Sequence, residues 1–263
     1  MILSSPGDVI FHIGSFKIYY YGVIMALAVV SGLLACQIVC RKFYSKSDFE
    51  AVYDLSIGTI IFGFLGARIY YFIAASMNSP QNFWEIFAVR NGGMSIHGAI
   101  IGGLIFVLLY LKFKKLPVLK YLDILTFGLI TGQIIGRWGN FFNSEAFGLP
   151  TFSWLKLYIP PMNRPSEFAV FDYFHPTFLY EIILNILILI ILIFIAKRTQ
   201  KCGYVFFSYI LMYSLVRFFI ENIRLDSVLN INSIPLAQIV SILGLITGTL
   251  GLLILNSREV KKC

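Results

Sequence analysis

The sequence predicts an all-α integral membrane protein, a bundle of seven transmembrane helices. Its composition is the first reason: 58% of the 263 residues are hydrophobic and 13% are charged, whereas a soluble domain carries about 25% charged residues. The second reason is the mean hydropathy of +0.81. The third is that the apolar residues form long runs separated by polar, basic connections, a pattern typical of polytopic helical proteins.

Each apolar run is close to the ~20 residues that a helix needs to cross the hydrocarbon core, and the third run is the shortest. The runs cover residues 17–40, 53–75, 96–111, 121–138, 177–196, 203–221 and 235–256. No internal repeat and no soluble domain interrupts them. We therefore expect a single polytopic membrane domain over residues 1–263, with the loop 139–176 as a candidate for a small cap on the outer face.

The basic residues predict the orientation of the chain. The connections after the first, third, fifth and seventh runs hold 13 of the 21 Lys and Arg residues, and the opposite side holds five. Because positive loops stay in the cytoplasm, we expect the N-terminus outside and the C-terminus in the cytoplasm.

The same distribution excludes several classes of protein. The net charge of +8 lies in short loops beside apolar runs, so no basic surface is left for nucleic acid. The spacing of Cys and His predicts neither a metal site nor a disulfide framework, and no cofactor is expected. Zinc-protease, nucleophile-elbow and Walker motifs are missing from the sequence.

The segment from Gly136 to Gly148 is the most polar stretch at the end of an apolar run. Within ten residues it carries a cation, two amides and a carboxylate, namely Arg137, Asn140, Asn143 and Glu145. Ionisable groups at membrane depth are candidates for a functional site. The alternative is a helix end at which the arginine reaches out to lipid phosphate.

Three arginines inside the runs are expected at one depth. Helix rise places Arg68 about 21 Å beyond Asp54, Arg137 about 26 Å beyond Lys120, and Arg217 about 24 Å beyond Lys201, all in the outer half of a core ~30 Å thick. Other polar residues predicted at this level are Tyr21, His97, His175, Tyr180 and Glu181. Convergence from several helices favours a site over scattered surface arginines.

Spacing within single segments adds to this hypothesis. Arg217, Glu221 and Arg224 follow i, i+4, i+7 spacing, which predicts one helix face, although an Arg–Glu pair is also a common structural clamp. Gly98 and Gly102 form a GxxxG pair typical of helix packing. Because arginine forks match phosphate geometry, an outer pocket lined with arginines suits an anionic lipid headgroup.

The run Gly136-Arg137-x-Gly139-Asn140-Phe141-x-Asn143-x-Glu145-x-x-Gly148 resembles the signature of the prolipoprotein diacylglyceryl transferases. Further matches span the chain and include Tyr21-Gly22, Gly66-Ala-Arg68, Gly92-Gly93-Met94-Ser95-x-His97-Gly98, His175-Pro176-x-x-x-Tyr180-Glu181, and Arg217 through Arg224. The resemblance implies a seven-helix enzyme of the bacterial cell membrane, with its active site toward the outer leaflet. Its partners would be phosphatidylglycerol, prolipoprotein substrates and the surrounding membrane lipids.

The implied reaction is the first step of lipoprotein maturation. The diacylglyceryl group of phosphatidylglycerol passes to the thiol of the lipobox cysteine, leaving a thioether and releasing glycerol phosphate. A thiol has a pKa near 8.5, so a base assists the attack, and fixed cations favour the charge that develops on the leaving phosphate.

These steps suggest a role for each candidate residue. Arg137 and Arg217 would bind and stabilise the phosphate, and His97 would take the thiol proton. Tyr21, Asn140 and Gly148 would position the headgroup. Arg68, Glu145, Glu181 and Glu221 would orient the arginines. Asn143, His175, Tyr180 and Arg224 complete the expected substrate-binding set.

Three other classes of protein remain as alternatives. A lipid transporter would also bind anionic lipid, but repeated halves with broken helices are not visible. A structural membrane protein would not need Arg, His, Tyr and Glu at one depth. An acyltransferase using Ser95, two residues before His97, would form a labile ester or thioester instead of a thioether.

Overall fold

The computed structural model describes residues 1–14, 16–78, 84, 87, 93, 95–199, 201–225, 230–231 and 234–257. The described chain contains seven α-helices: α1 Tyr20–Phe43, α2 Asp48–Asn78, α3 Ile96–Phe113, α4 Val118–Phe142, α5 Thr177–Arg198, α6 Tyr204–Glu221 and α7 Leu236–Ser257. Six of them are long and apolar enough to cross a membrane, and the apolar part of α3, His97–Phe113, is shorter. The prediction of a helical, multi-pass membrane protein is confirmed, while the exact number of spans and the orientation stay predictions.

Each helix overlaps the apolar run predicted for it, and the differences lie at polar ends. The helix α2 begins at Asp48, five residues before the apolar run, because Asp48 and Glu50 occupy its first turn, where carboxylates interact favourably with the helix dipole. The carboxylate of Asp48 also accepts the backbone N–H of Ser45 at 3.0 Å. Hydropathy alone does not register such polar first turns.

The chain divides into two compact units, the first made of Met1–Val39 with Leu122–Cys263 and the second of Cys40–Tyr121. In the first unit, α1 and α4 meet at glycines: a Cβ on Gly32 would lie 2.8 Å from the carbonyl oxygen of Gly128. The helices α6 and α7 approach equally closely, since a Cβ on Gly248 would lie 2.8 Å from the backbone nitrogen of Leu211. Small residues therefore allow close backbone contact at both helix pairs.

Short strands flank the helices: β1 Ile2–Ser4, β2 Val9–Ile13, β3 Phe16–Tyr19, β4 Lys156–Tyr158, β5 Tyr173–Phe174, β6 Asn230–Ile231 and β7 Ile234–Pro235. β2 pairs with β3 and β6 with β7, both antiparallel. The third sheet has the order β1-β4-β5, with β1 parallel to β4 and β4 antiparallel to β5. The segment between α4 and α5 is therefore folded onto the N-terminal strand.

An apolar core lies beneath this three-stranded sheet. Its buried members are Phe147, Leu157, Ile159, Phe174, Phe178 and Ile182. Because Phe178 and Ile182 belong to α5, the core fixes the sheet to the start of that helix. The placement of residues 139–176 as an outer cap stays a prediction.

The second unit is built on the close pairing of α2 with α3. A Cβ on Gly66 would lie 2.3 Å from the carbonyl oxygen of Gly98, and a Cβ on Gly102 would lie 2.4 Å from that of Phe62. The predicted role of Gly98 and Gly102 in helix packing is thus confirmed.

The cysteines correct one expectation. Cys36 and Cys40 are free and buried, but Cys202 is disulfide-bonded. The sequence predicted no disulfide framework, and it did not predict the single bond at Cys202, because spacing along the chain does not report proximity in the fold.

Candidate active site

The carboxylate of Glu181 is the centre of a cluster of three arginines in the first unit. Glu181 lies in the first turns of α5 and its side chain is 2% exposed. It forms ion pairs with Arg137 from α4 and with Arg217 from α6, the second at 3.2 Å. The guanidinium of Arg224 approaches the same carboxylate at 3.5 Å. One buried carboxylate therefore joins groups from three parts of the chain.

A second carboxylate orients Arg217. Glu221, one turn further along α6, binds Nη2 of Arg217 at 2.6 Å, while Nη1 of the same guanidinium binds Glu181. Each terminal nitrogen of Arg217 thus has one carboxylate partner, which fixes the plane of the guanidinium.

Arg224 does not lie on the helix face predicted for it. The helix α6 ends at Glu221, and the backbone N–H groups of Ile223 and Arg224 both bond to the carbonyl of Ile220 in the closing turn. Arg224 then forms an isolated β-bridge with Gly148. The expected i+7 position was wrong, because this bridge to another segment redirects the backbone after the helix.

The cluster exposes its guanidinium groups more than its carboxylates. Its three arginines face the two carboxylates of Glu181 and Glu221. The side chains of Arg137 and Arg217 are 19% and 18% exposed, whereas both carboxylates are 2% exposed. An incoming anion can therefore reach the guanidinium groups while the carboxylates remain behind them. This arrangement suits a phosphate.

An amide chain extends the cluster into the turn after α4. Nη1 of Arg137 donates to Oδ1 of Asn140 at 3.3 Å, and Nδ2 of Asn140 donates to Glu145 at 2.9 Å. Asn143 also points its amide nitrogen to Glu145, at 3.5 Å. The turn is held by a hydrogen bond from the backbone N–H of Glu145 to the carbonyl of Asn140 at 3.0 Å. These contacts fix the amide of Asn140 beside Arg137.

Gly148 holds the loop against two other segments. Its N–H donates to the carbonyl of His175 at 2.9 Å. A Cβ at this position would lie 2.9 Å from both the carbonyl oxygen of Ile223 and Cγ2 of Thr177. The close approach requires glycine, and it brings the loop beside Arg224. Gly148 therefore has a packing reason to be glycine, in addition to the headgroup contact expected of it.

Three further predicted residues lie at the edges of the first unit's cluster. Nδ1 of His175 is 3.1 Å from the hydroxyl of Tyr180, one turn into α5. The ring of Tyr21, at the start of α1, packs against Gly139, where a Cβ would lie 2.8 Å from Cδ2 of the ring. The first unit thus holds all the predicted site residues except Arg68 and His97.

Arg68 and His97 lie in the second unit. Arg68 is buried on α2, and its Nη1 donates to the carbonyl of Gly93 at 2.7 Å. His97 is half-buried in the first turn of α3, with its ring centroid 6.1 Å from that of Tyr70. Gly92 and Met94 of the same motif lie outside the described residues. The common depth of these two residues and the arginine cluster stays a prediction.

Sequence reasoning missed two buried polar residues of the first unit. Asp123 on α4 accepts the backbone N–H groups of Gly203 and Phe206 at 2.6 and 2.8 Å, and so caps the start of α6. Asn185 on α5 is buried four residues after Glu181. The available signal for Asn185 was a single amide between the apolar residues that follow Glu181 on α5. Within the described ranges, no group of three or more His, Cys, Asp or Glu side chains is arranged to hold a metal ion.

Comparisons with known proteins agree over most of the chain. The model of the family described as prolipoprotein diacylglyceryl transferase matches residues 8–254. A relative from Trichormus variabilis, a phosphatidylglycerol–prolipoprotein diacylglyceryl transferase, is 41% identical over 98% of this chain and 93% of its own length. Proteins of the same name from Synechocystis and Clostridium botulinum are 43% and 42% identical, over 94% and 90% of this chain and 89% and 92% of their own lengths.

Proposed function

The chain belongs to the prolipoprotein diacylglyceryl transferase family, and from this premise we propose that it transfers the diacylglyceryl group of phosphatidylglycerol to the cysteine thiol of a prolipoprotein. The sulfur attacks the glycerol carbon that carries the phosphate. The carbon–oxygen bond breaks as the thioether forms, and glycerol phosphate leaves. This is the first step of lipoprotein maturation.

The observation that carries this proposal is the convergence of Arg137, Arg217 and Arg224 on the buried carboxylate of Glu181. The phosphate of the lipid would bind to the exposed edges of Arg137 and Arg217. Because negative charge grows on the phosphate as the bond breaks, fixed guanidinium groups stabilise the transition state more than the bound substrate. Glu181 and Glu221 would hold these groups in place, so that little reorganisation is needed during the reaction.

The remaining residues receive roles in binding and proton transfer. His97 would take the thiol proton, directly or through water. Tyr21, Asn140 and Gly148 would position the headgroup, and the hydrogen bonds of Asn140 to Arg137 and Glu145 support a fixed orientation for its amide. Arg68, Asn143, Glu145, His175 and Tyr180 would complete the binding region.

We also propose seven spans in a single membrane domain, with the N-terminus outside and the C-terminus in the cytoplasm of a bacterium. The distribution of Lys and Arg along the chain supports this orientation. The site would then open toward the outer leaflet, where the folded loop 139–176 would form a cap.

The proposal is tested with purified protein, phosphatidylglycerol micelles and a synthetic lipobox peptide, followed by mass spectrometry. We expect a diacylglyceryl mass gain on cysteine that survives hydroxylamine. Arg137→Gln should abolish the gain, while Arg198→Gln, which makes the same change at an exposed arginine of α5, should retain it.

Two results would overturn the proposal. A single acyl gain removed by hydroxylamine would indicate an acyltransferase and direct attention to Ser95. Tight binding of phosphatidylglycerol without any peptide modification would indicate a lipid carrier.

A further inference from the structure

Asn185 is a buried amide for which the protein supplies no hydrogen bond. It lies in the middle of α5 and is 1% exposed. Among the described residues, neither Nδ2 nor Oδ1 of Asn185 has a hydrogen-bond partner. Such a group costs folding free energy, and an uncompensated amide in a native interior calls for a specific explanation.

Three other polar side chains on α4 in the first unit have hydrogen-bond partners. Gln133 accepts the hydroxyl of Tyr209 at 3.0 Å. Asp123 accepts two backbone N–H groups, and Thr126 donates to the carbonyl of Leu122 at 2.7 Å. Asn185 differs from these three side chains, because neither polar atom of its amide has a partner among the described residues.

The position of Asn185 relates it to the arginine cluster. It follows Glu181 by four residues, so both side chains lie on one face of α5. One helical turn, about 5.4 Å along the axis, separates them. Since Glu181 contacts Arg137 of α4 and Arg217 of α6, the amide lies on the same interior side, one turn further from the polar end of the helix.

The chemistry of a phospholipid matches this spacing. Two ester carbonyls lie a few covalent bonds from the phosphate, on the side of the acyl chains, and each is a hydrogen-bond acceptor. The amide of Asn185 offers two N–H donors. We propose that Asn185 donates a hydrogen bond to an ester carbonyl of the bound phospholipid, an inference that rests on the proposed function.

The contact would have a consequence for the reaction. The glycerol carbon that the sulfur attacks lies between the phosphate and the ester groups. Arginines on the phosphate and an amide on a carbonyl therefore hold this carbon from both sides, which restricts its position relative to the thiol. Asn185 thus recognises the ester-linked diacylglyceryl unit, whereas the arginines recognise the phosphate.

The test compares ordinary diester phosphatidylglycerol with its diether analogue, which keeps the phosphate, the reacting carbon–oxygen bond and the chain length but lacks both carbonyls. The lost hydrogen bond should lower the wild-type kcat/KM by about three- to tenfold on the diether lipid. Asn185→Leu should lower kcat/KM on the diester lipid by a similar factor. Its kcat/KM should then be the same on the diester and the diether lipid. Ile188→Val changes a neighbouring buried position of α5. This variant should keep the wild-type ratio of kcat/KM on the diester lipid to kcat/KM on the diether lipid.

Each other outcome has a distinct meaning. An unchanged diester-to-diether ratio in Asn185→Leu would assign the residue a structural role and overturn the inference, as would a wild-type enzyme that does not distinguish the two lipids. If Asn185→Leu fails to fold, the same ratio measured on Asn185→Ala distinguishes the lipid contact from a structural role. Failure of the wild type to use either lipid would instead reject the proposed transferase function.

Discussion

At the scale of single residues, the site depends on how the charges are paired. Arg137 and Arg217 both form ion pairs with the buried carboxylate of Glu181. Because one carboxylate serves both guanidinium groups, the free-energy cost of burying them is reduced while the pair of arginines keeps a positive charge. The exposed edges of the guanidinium groups remain available for an anion. Glu181 is consequently as important to the arrangement as the arginines that it holds.

Glu181→Gln should therefore impair both stability and transfer. It keeps the size of the side chain but removes the charge opposite three arginines, and breaking a buried ion pair costs about 3–5 kcal/mol. We expect a lower midpoint of thermal unfolding and a large fall in transfer rate. Glu167→Gln, at an exposed carboxylate of the loop between α4 and α5, is the control and should change neither quantity.

His97→Gln provides a test of the proposed base. At neutral pH we expect a decrease in kcat/KM on the order of 10²-fold or more, the usual contribution of a positioned base. The deficit should shrink as pH rises through the ordinary thiol pKa near 8.5, because the substrate thiolate then forms without help. A variant with near-normal rates at neutral pH would remove His97 from the mechanism and leave the phosphate-binding role of the arginines intact.

At the scale of secondary-structure elements, the sequence predicted helices better than their ends. The thickness of the hydrocarbon core fixes the length of an apolar run, so hydropathy located all seven helices of the described chain. The end of α6 depends instead on the bridge between Gly148 and Arg224, which joins segments distant in sequence. Spacing within single segments likewise could not predict that three arginines share Glu181, because these contacts arise from the packing of α4, α5 and α6.

The loop at Gly148 leaves little room for an added methyl group. Gly148→Ala should force the loop away from Ile223 and Thr177, where a Cβ would lie at 2.9 Å, and overpacking of this kind costs about 1–3 kcal/mol. We expect reduced thermal stability together with weaker phosphatidylglycerol binding, because Arg224 is displaced. Gly132→Ala is the matched control, since its Cβ would lie 3.6 Å from the nearest atom, the carbonyl oxygen of Ala28.

The start of α6 depends on a carboxylate from another helix. Asp123→Asn should destabilise the protein by about 1–3 kcal/mol, because the amide group replaces one of the oxygens that accept the N–H groups of Gly203 and Phe206. Thermal unfolding measures this change, and Asp8→Asn, at an exposed carboxylate before β2, should have little effect. Equal stability of the two variants would show that the cap of α6 is dispensable.

At the scale of the whole molecule, the composition indicates a membrane environment and the basic residues predict the orientation of the chain. Apolar side chains cover the long helices, and six helices have the length and composition of membrane spans. The excess of Lys and Arg in alternate connections predicts which helix ends face the cytoplasm. The proposed site for lipid phosphate would then lie at the opposite ends, because Arg137 and Arg217 belong to the later turns of α4 and α6.

The orientation can be tested by cysteine labelling in right-side-out membrane vesicles. Phe152→Cys, at a position 90% exposed in the loop between α4 and α5, should react with a membrane-impermeant maleimide added outside. Lys115→Cys, at an exposed position between α3 and α4, should react only after permeabilisation. Cys36 and Cys40 are buried, so they should contribute little background. The reverse pattern would place the arginine cluster near the cytoplasmic leaflet, where a thiol of a translocated prolipoprotein could not reach it, and the proposed site would have to be abandoned.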